Sequence, residues 1–144
     1  MYKGTFLAKL DLKEAYRSIP LHESCFEYTG LQWVFAGDSS PTYFFDARLP
    51  FGASRNCHIF QSLTDAVIRM LDKRNIKAIG YIDDYLLICD SLELCEEALK
   101  TTIELIESLE LTINWTIVDG PAQSLTFLGV EVNCKERTLA LPGC

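Results

Sequence analysis

Two adjacent acidic residues, Asp83 and Asp84, lie inside a stretch of sequence that is otherwise apolar. Residues 78–82 precede them and residues 85–89 follow them, and both runs have the composition of buried strands. Two short strands around a polar pair predict a tight β-hairpin with the acids at its tip. Neighbouring carboxylates there repel each other and resist ionisation without a counter-charge. A divalent metal ion would supply that charge, and a solvent-exposed tip with two ordinary acids is the simpler alternative.

A third carboxylate, Asp11, ends an apolar strand predicted over residues 5–10. Taken alone, it is explained more simply as a helix N-cap, because aspartate is common in that position. If Asp11 and Asp83 end neighbouring strands, their carboxylates can bracket two metal ions roughly 3.5–4 Å apart. Such a pair of ions activates a nucleophilic oxygen and stabilises a leaving one, which is most of what phosphoryl transfer requires.

Turn residues and helical periodicity predict the elements between these acids. The turn cluster at residues 37–41 separates β-rich segments at 29–35 and 42–47, so these segments are predicted to form a hairpin. Apolar residues then recur at spacings of three and four, which predicts a helix capped by Ser54 and ending near residue 73.

The second half of the chain predicts one more helix and several strands. Asp90 and Glu93 form a plausible capping pair for the helix, whose acidic side is interpreted as a solvated face. Strands are predicted near residues 111–115, 125–132 and 138–141. The resulting order predicts one α+β domain with an antiparallel sheet and helices packed on one face.

Charge and composition limit the classes of protein to which the chain can belong. The net charge of −7 argues against a freestanding nucleic-acid binder, and no Lys or Arg lies between Lys100 and Lys135. Phosphate contacts are therefore expected to come mostly from elsewhere. The six cysteines have no metal-binding spacing, and no apolar run reaches the roughly 20 residues that span a bilayer. These features predict a reduced, intracellular location in the cytoplasm or nucleus, without secretion or membrane attachment.

The segment LPFGAS at residues 49–54 places a stiff turn and a flexible one directly before the first helix. A plain loop-to-helix junction explains it equally well when it is considered alone. Arg55 and Asn56 follow in the first helical turn. They are predicted to face a phosphate or the template backbone, because the first turn of a helix has free backbone N–H groups.

Four segments in this order resemble motifs of reverse transcriptases. Residues 8–16 (AKLDLKEAY) resemble motif A, and residues 49–54, followed by Ile59-Phe60-Gln61, resemble motif B. Residues 81–84 (YIDD) resemble the Tyr-x-Asp-Asp box, and residues 127–130 (FLGV) resemble the motif E turn. The match covers nearly the whole chain and is most similar to retrotransposon-type enzymes. It implies a ferredoxin-like polymerase palm, residues 1–144, with RNA-directed DNA polymerase (nucleotidyltransferase) activity.

The resemblance also implies a role for each matching residue. Asp11 and Asp83 would bind two Mg²⁺ ions, for which Mn²⁺ can substitute, with Asp84 assisting and the Leu12 carbonyl completing the metal shell. Tyr16 occupies the steric-gate position, where an aromatic ring excludes a 2′-hydroxyl. Phe51 and Gly52 would contact the incoming nucleotide. Gln61 would contact the nucleotide or support the helix of motif B. Tyr81 and Ile82 would lie close to the primer end.

Departures from the family pattern qualify the expected activity. Family members usually carry a Lys shortly after the segment at 111–115, where this chain has Thr116-Ile117-Val118. That Lys is thought to protonate the leaving pyrophosphate, so a lower catalytic rate is expected. Ten residues precede Asp11 and few follow motif E, so the fingers and thumb are expected to be missing. The expected partners are a primer on an RNA or DNA template and deoxynucleoside triphosphates, and the chain is expected to have little activity alone.

Two other functions remain compatible with the sequence. The chain could be a non-catalytic remnant of a retroelement that acts as a binding or scaffold module. It could also be a viral RNA-copying palm, although Tyr16 disfavours this, as does Tyr81-Ile82 in place of a glycine before Asp83. Binding of Mn²⁺ and a deoxynucleotide separates the first alternative from a polymerase. The choice between ribonucleotides and deoxynucleotides separates the second.

Overall fold

The computed structural model describes residues 4–15, 17, 19–48 and 56–143. Its two α-helices are α1 (Asn56–Asp72) and α2 (Leu92–Ser108), and Glu23–Thr29 forms a 3-10 helix. The strands in the described residues are β1 (Phe6–Asp11), β2 (Leu31–Trp33), β3 (Thr42–Phe44), β4 (Lys77–Tyr81), β5 (Asp84–Cys89), β6 (Asp119–Ala122), β7 (Ser124–Phe127), β8 (Val130–Asn133) and β9 (Thr138–Ala140). No helix among the described residues is long and apolar enough to cross a membrane.

The central sheet has four strands in the order β4-β5-β1-β6, and every neighbouring pair is antiparallel. β1 and β5 occupy its middle, where apolar side chains can be buried on both faces. Their register places Asp11 opposite Asp84, at the end of β1 and the start of β5. The strand that ends in one acid and the hairpin that carries the other two are therefore direct neighbours, as the two-metal hypothesis requires.

Both helices pack on the same face of this sheet. Ala8, Leu10 and Leu87 project from β1 and β5 into a core that also contains side chains of both helices. The helix side chains in this core are Phe60, Val67, Leu71, Cys95, Ala98 and Ile106. Their spacings of three, four, seven or eight residues place them on one apolar face of each helix, and burial of that face drives the packing. The predicted α+β palm with helices on one face is confirmed.

The opposite face of the sheet is covered only in part. Leu7 and Leu86 pack there against Leu125 and Val132 of a second sheet with the order β7-β8-β9. The Lys9 ammonium donates a hydrogen bond to the Thr126 carbonyl at 2.8 Å and ties the two sheets together. Side chains alternate along a strand, so Asp11 and Asp84 lie on this same face as Leu7 and Leu86.

The hairpin predicted before α1 is confirmed, although its strands are shorter than expected. β2 and β3 pair over three residues each, with Leu31 opposite Phe44. The Trp33 and Tyr43 side chains are 61% and 74% exposed, so these two rings are largely uncovered in the part of the chain that the structure describes. Ser54, the predicted cap of α1, lies outside the described residues.

The strand predicted at 111–115 is wrong. Only Ile113 forms a β-bridge there, to Leu12. The fourth strand of the sheet is β6 instead, which begins at Asp119 and contains Pro121. Proline lacks a backbone N–H and is therefore a poor residue for a central strand, but an edge strand tolerates it. β6 is an edge strand that pairs with β1 through a register shift, so the proline does not interrupt the sheet.

Two further predictions on the second half of the chain need correction. The single strand predicted over 125–132 is a hairpin of β7 and β8, which turns at Leu128 and Gly129. Both turn residues have positive φ, the pattern of the tightest antiparallel turns. The cap of α2 is Ser91, not Asp90, because the Ser91 hydroxyl accepts a hydrogen bond from the Leu94 N–H.

Candidate metal centre

Three carboxyl groups meet where the end of β1 lies beside the start of β5, in the middle of the sheet. Asp11 is the last residue of β1, Asp84 is the first of β5, and Asp83 lies in the turn before it. One carboxylate oxygen from each residue lies within 4.8 Å of the other two. The structure therefore brings together all three acids that the sequence singles out. Each is partly buried, so the group is open to solvent on one side.

The tip of the β4–β5 hairpin is shifted by one residue from the prediction. Tyr81 pairs with Asp84, so the two turn residues are Ile82 and Asp83. Ile82 has a φ of +53°, whereas Asp83 is not among the residues with positive φ. A positive φ at the first turn residue alone is the pattern of a type II′ turn, in which glycine is the usual occupant. The turn places Asp83 between the strand ends and leaves Asp84 in register with Asp11.

Burial and mutual repulsion raise the pKa of all three carboxyl groups. For Asp11 the larger cause is burial, followed by the charge of Asp84. The pKa of Asp83 is raised by burial and then by the charge of Asp11. The pKa of Asp84 is raised by burial and then by the charge of Asp83. Each acid thus lacks enough positive charge nearby to compensate its neighbours.

Two polar residues that sequence reasoning did not assign to the site lower the pKa of these acids. A side-chain hydrogen bond from Asn114 lowers the pKa of Asp11, and the Asn114 N–H donates to the Asp11 carbonyl at 2.8 Å. The positive charge of Lys9 lowers the pKa of Asp84. Neither effect offsets the raising causes. A polar side chain within the apolar run 111–115 was the sequence signal that could have pointed to Asn114.

The donor set fits a hard divalent cation. Carboxylate oxygens are the ligands that Mg²⁺ uses most, usually one or two together with water and phosphate oxygens. The three groups converge within bridging distance, and their pKa values indicate a site that lacks positive charge. Asp11, Asp83 and Asp84 could therefore hold a divalent ion, and the partly exposed side leaves room for further oxygen ligands.

The other candidate residues lie around this group or outside the described residues. The Leu12 N–H donates to the Asp83 carbonyl at 3.0 Å, which joins the end of β1 to the hairpin tip. Tyr81 is 54% exposed beside the acids, and Ile82 is partly buried. Asn56, at the start of α1, is only 5% exposed, which leaves little of its side chain for a template contact. Tyr16, Phe51, Gly52 and Arg55 lie outside the described residues.

The Gln61 side chain of α1 reaches the β4–β5 hairpin. Its Oε1 accepts a hydrogen bond from the Ile82 N–H at 2.8 Å, and its Nε2 donates to the Gly80 carbonyl at 3.3 Å. Nε2 also donates to Asp65 Oδ1 at 2.9 Å. The amide is therefore engaged mainly with the protein backbone next to the acids.

An antiparallel sheet backed by two helices, with three carboxylates where its middle strands end, defines a polymerase palm. The family described as "Reverse transcriptase (RNA-dependent DNA polymerase)" matches residues 1–132, and the chain belongs to this family. The resemblance read from the four sequence motifs is thereby confirmed.

One similar relative is the Gag-Pol polyprotein of avian reticuloendotheliosis virus, which is 23% identical over 133 residues. The match covers 91% of this chain and 12% of the polyprotein. This chain thus spans about an eighth of the length of that relative.

Solved structures of a foamy viral protease-reverse transcriptase share the fold. The complex with double-stranded DNA matches with a TM-score of 0.78 and 14% identity, over 96% of this chain and 26% of that one. The complex with an RNA/DNA hybrid matches with a TM-score of 0.75 and 18% identity, over 96% of this chain and 17% of that one. The palm fold is therefore retained at low sequence identity.

Proposed function

We propose that residues 1–144 form the palm of an RNA-directed DNA polymerase that adds deoxynucleotides to a primer 3′-hydroxyl. The observation that carries this proposal is the convergence of Asp11, Asp83 and Asp84 at the ends of neighbouring strands. Nucleic-acid partners are supported by the related structures, whose complexes contain double-stranded DNA or an RNA/DNA hybrid. The fragment is proposed to act together with fingers and thumb segments and with deoxynucleoside triphosphates.

Two divalent ions at this site would activate the primer hydroxyl and neutralise the charge of the leaving pyrophosphate. Asp11 and Asp83 would hold these ions, and Asp84 and the Leu12 carbonyl would complete the set of protein ligands. Asn114 orients the Asp11 carboxylate through its side-chain hydrogen bond. Tyr81 and Ile82 lie at the hairpin where the primer end would approach.

The residues expected to select and place the nucleotide and template belong to the same proposal. Tyr16 excludes ribonucleotides through its ring. Phe51 and Gly52 contact the nucleotide, and Arg55 contacts the template side; buried Asn56 is not included in this role. The proposal for the isolated chain is metal binding without processive synthesis. The net charge of −7 supports the expected lack of processive synthesis, because an acidic protein repels a polyanionic nucleic acid.

A calorimetric titration with Mn²⁺ tests the metal site. We expect the 144-residue chain to bind Mn²⁺ and the Asp83→Asn variant to bind it at least about tenfold more weakly, because the variant loses one carboxylate ligand. Asp38→Asn is the matched control, since Asp38 is an exposed loop aspartate. Absence of any Asp83-dependent heat would contradict the polymerase proposal and favour a non-catalytic binding module.

Primer extension on an RNA template tests the remaining part of the proposal. We expect little extension by the isolated chain, with deoxynucleotides preferred over ribonucleotides in whatever product forms. Robust extension that is lost in Asp83→Asn would overturn the expected low activity while leaving the polymerase assignment intact. Equal use of ribonucleotides would instead identify an RNA-copying enzyme.

A further inference from the structure

We propose that Gln61 and Thr64 of α1 are positioning residues that hold the backbone of Ile82 in its left-handed conformation and thereby aim the Asp83 carboxylate. This inference rests on the proposed function, because it assigns Asp83 to the metal site. It differs from the nucleotide contact that the family resemblance implies for Gln61. It also gives a role to Thr64, for which the sequence motifs suggest none.

The turn that presents Asp83 is held in a conformation unfavourable for its sequence. Ile82 has a φ of +53°, a region that β-branched residues rarely enter because Cβ crowds the backbone. A residue in such a conformation costs on the order of 1–3 kcal/mol and persists only where surrounding contacts enforce it. Those contacts must be found at Ile82 itself.

Both backbone polar groups of Ile82 are bound by side chains of α1. The Ile82 N–H donates to Gln61 Oε1 at 2.8 Å, and the Thr64 hydroxyl donates to the Ile82 carbonyl. Gln61 is itself oriented, because its Nε2 donates to Gly80 and Asp65. The amide orientation is unambiguous, since only its oxygen can accept from a backbone N–H. We call this pair of contacts, made by Gln61 and Thr64, the hairpin latch.

The latch acts on the two peptide groups that flank Ile82, the residue immediately before Asp83. On the other side of that residue, the Asp83 carbonyl accepts a hydrogen bond from the Leu12 N–H at 3.0 Å. The backbone of Asp83 is thus fixed from α1 on one side and from the end of β1 on the other. A turn that relaxed at Ile82 would swing the Asp83 carboxylate relative to Asp11, so the latch sets the distance between two candidate ligands.

Close packing of α1 on the hairpin makes the latch possible. Thr64 is fully buried, and a Cβ placed on Gly80 would lie 2.5 Å from its Cγ2. Glycine at position 80 therefore lets α1 approach closely enough for the Gln61 and Thr64 side chains to reach the turn backbone. Two polar groups aimed at one turn exceed what hydrophobic packing of a helix requires.

The test measures Mn²⁺ affinity by electron paramagnetic resonance of free Mn²⁺. Only the Mn²⁺ binding that is lost in Asp83→Asn is counted as binding at this site. Gln61→Met removes the amide and keeps the side-chain length. We expect it to weaken Mn²⁺ binding by about tenfold, as is typical when a residue that supports a metal ligand is lost. Gln32→Met, at an exposed glutamine of β2, is the matched control and is expected to bind Mn²⁺ as the unaltered chain does.

Rescue by glycine separates positioning from general destabilisation. Glycine adopts a positive φ without steric cost, so Ile82→Gly in the Gln61→Met background should restore most of the lost Mn²⁺ affinity. A merely structural role for Gln61 predicts no rescue, because glycine adds no packing or hydrogen bond. Unchanged affinity in folded Gln61→Met, or failure of the glycine rescue, would overturn the inference.

Two further measurements keep the inference testable if Gln61→Met does not fold. Thr64→Val preserves shape and removes only the hydroxyl donor, and we expect it to weaken Mn²⁺ binding in the same direction. In the unaltered chain the Ile82 amide should exchange slowly with solvent, since Gln61 accepts from it. A rapidly exchanging Ile82 amide would overturn the latch without bearing on the metal site. Absence of Asp83-dependent Mn²⁺ binding in the unaltered chain would overturn the proposed function and the latch together.

Discussion

The carboxyl groups of Asp11, Asp83 and Asp84 oppose the stability of the fold that holds them. Their pKa values are raised by burial and by mutual repulsion, so the folded chain keeps these protons to a higher pH than the unfolded chain does. Ionisation therefore reduces stability as the pH rises through the ordinary value of 3.8, and the loss is complete above the raised pKa. A bound divalent cation would reverse this effect.

Replacing one acid should stabilise the metal-free chain. We expect Asp84→Asn to raise the melting temperature at pH 7 in the presence of a chelator by about 2–4 °C, which corresponds to roughly 1 kcal/mol in a chain of this size. The figure is modest because solvent reaches the site and screens the repulsion. Calorimetric melting from pH 4 to pH 7 measures the effect, which should be smaller near pH 4 because the acids are more protonated there than at pH 7.

Asp38→Asn provides the comparison for this prediction, since it removes an aspartate that has no acidic cluster around it. We expect its melting temperature to match that of the unaltered chain at every pH. A lower melting temperature for Asp84→Asn at pH 7, or a gain that does not depend on pH, would show that repulsion within the triad is not the cause.

Single residues of the site were predictable to different degrees. Asp83 and Asp84 are conspicuous because charged residues rarely interrupt apolar strands, and Asp11 gains meaning from the strand before it. Asn114 and Lys9 carry no such signal, because their effects on Asp11 and Asp84 depend on how distant segments pack together. Gln61 was noticed within a motif, but its bonds to the hairpin could not be inferred from spacing.

Among the secondary-structure elements, α1 packs closely on β4, the strand that leads into the turn carrying Asp83. The contact depends on Gly80, where a Cβ would lie 2.5 Å from Thr64 Cγ2 and 3.1 Å from Ile68 Cγ1. The Thr64 side chain cannot move away freely, because it is buried and bonded to Ile82. The helix therefore has to shift if position 80 gains a side chain.

We expect Gly80→Ala to destabilise the chain by about 1–3 kcal/mol, the usual range for overpacking a well-filled interior. Urea unfolding followed by circular dichroism measures the change. Gly30→Ala is the control, because its Cβ would meet only ordinary contacts, 3.7 Å from the Glu27 carbonyl oxygen and 3.9 Å from the Phe44 carbonyl oxygen. Equal stability of the two variants would mean that α1 does not pack as tightly on β4 as the structure indicates.

Strands were predicted well where their apolar pattern was continuous and poorly at the edge of the sheet. β1, β4 and β5 have mainly apolar sequences that reveal them. β6 contains Gly120 and Pro121, residues typical of a turn, and becomes a strand only because β1 offers an unpaired edge. The segment 111–115 has the better strand composition, yet only Ile113 forms a bridge. Tertiary pairing thus overrides local preference at that edge.

For the molecule as a whole, the distribution of charge matters as much as the fold. The chain carries a net charge of −7 and places three of its acids together at the ends of β1 and β5. Related structures that share the fold are complexes with double-stranded DNA or an RNA/DNA hybrid, and their chains are about four to six times longer. We infer that most of the affinity for a duplex comes from parts of such proteins beyond the palm.

We expect the isolated chain to bind an RNA/DNA hybrid no more tightly than about 10⁻⁵ M at physiological salt, the range of non-specific binding. Its affinity should also change little between about 50 mM and 200 mM salt, because few cations are available to displace counterions. Fluorescence anisotropy with a labelled hybrid measures both quantities. Nanomolar affinity that falls steeply with salt would reveal a basic binding surface. It would contradict the inference that most of the affinity for a duplex comes from parts beyond the palm.

The sequence by itself determined the order of elements around the acids, the two amphipathic helices and the identity of the three carboxylates. Those features follow from local composition and periodicity, which act within a few residues. Only the tertiary structure decided which strands became neighbours, that Ile82 rather than Asp84 occupies the turn with Asp83, and that Gln61 and Thr64 reach across to hold it. These outcomes depend on contacts between segments distant in the chain, where burial and backbone hydrogen bonding outweigh local preference.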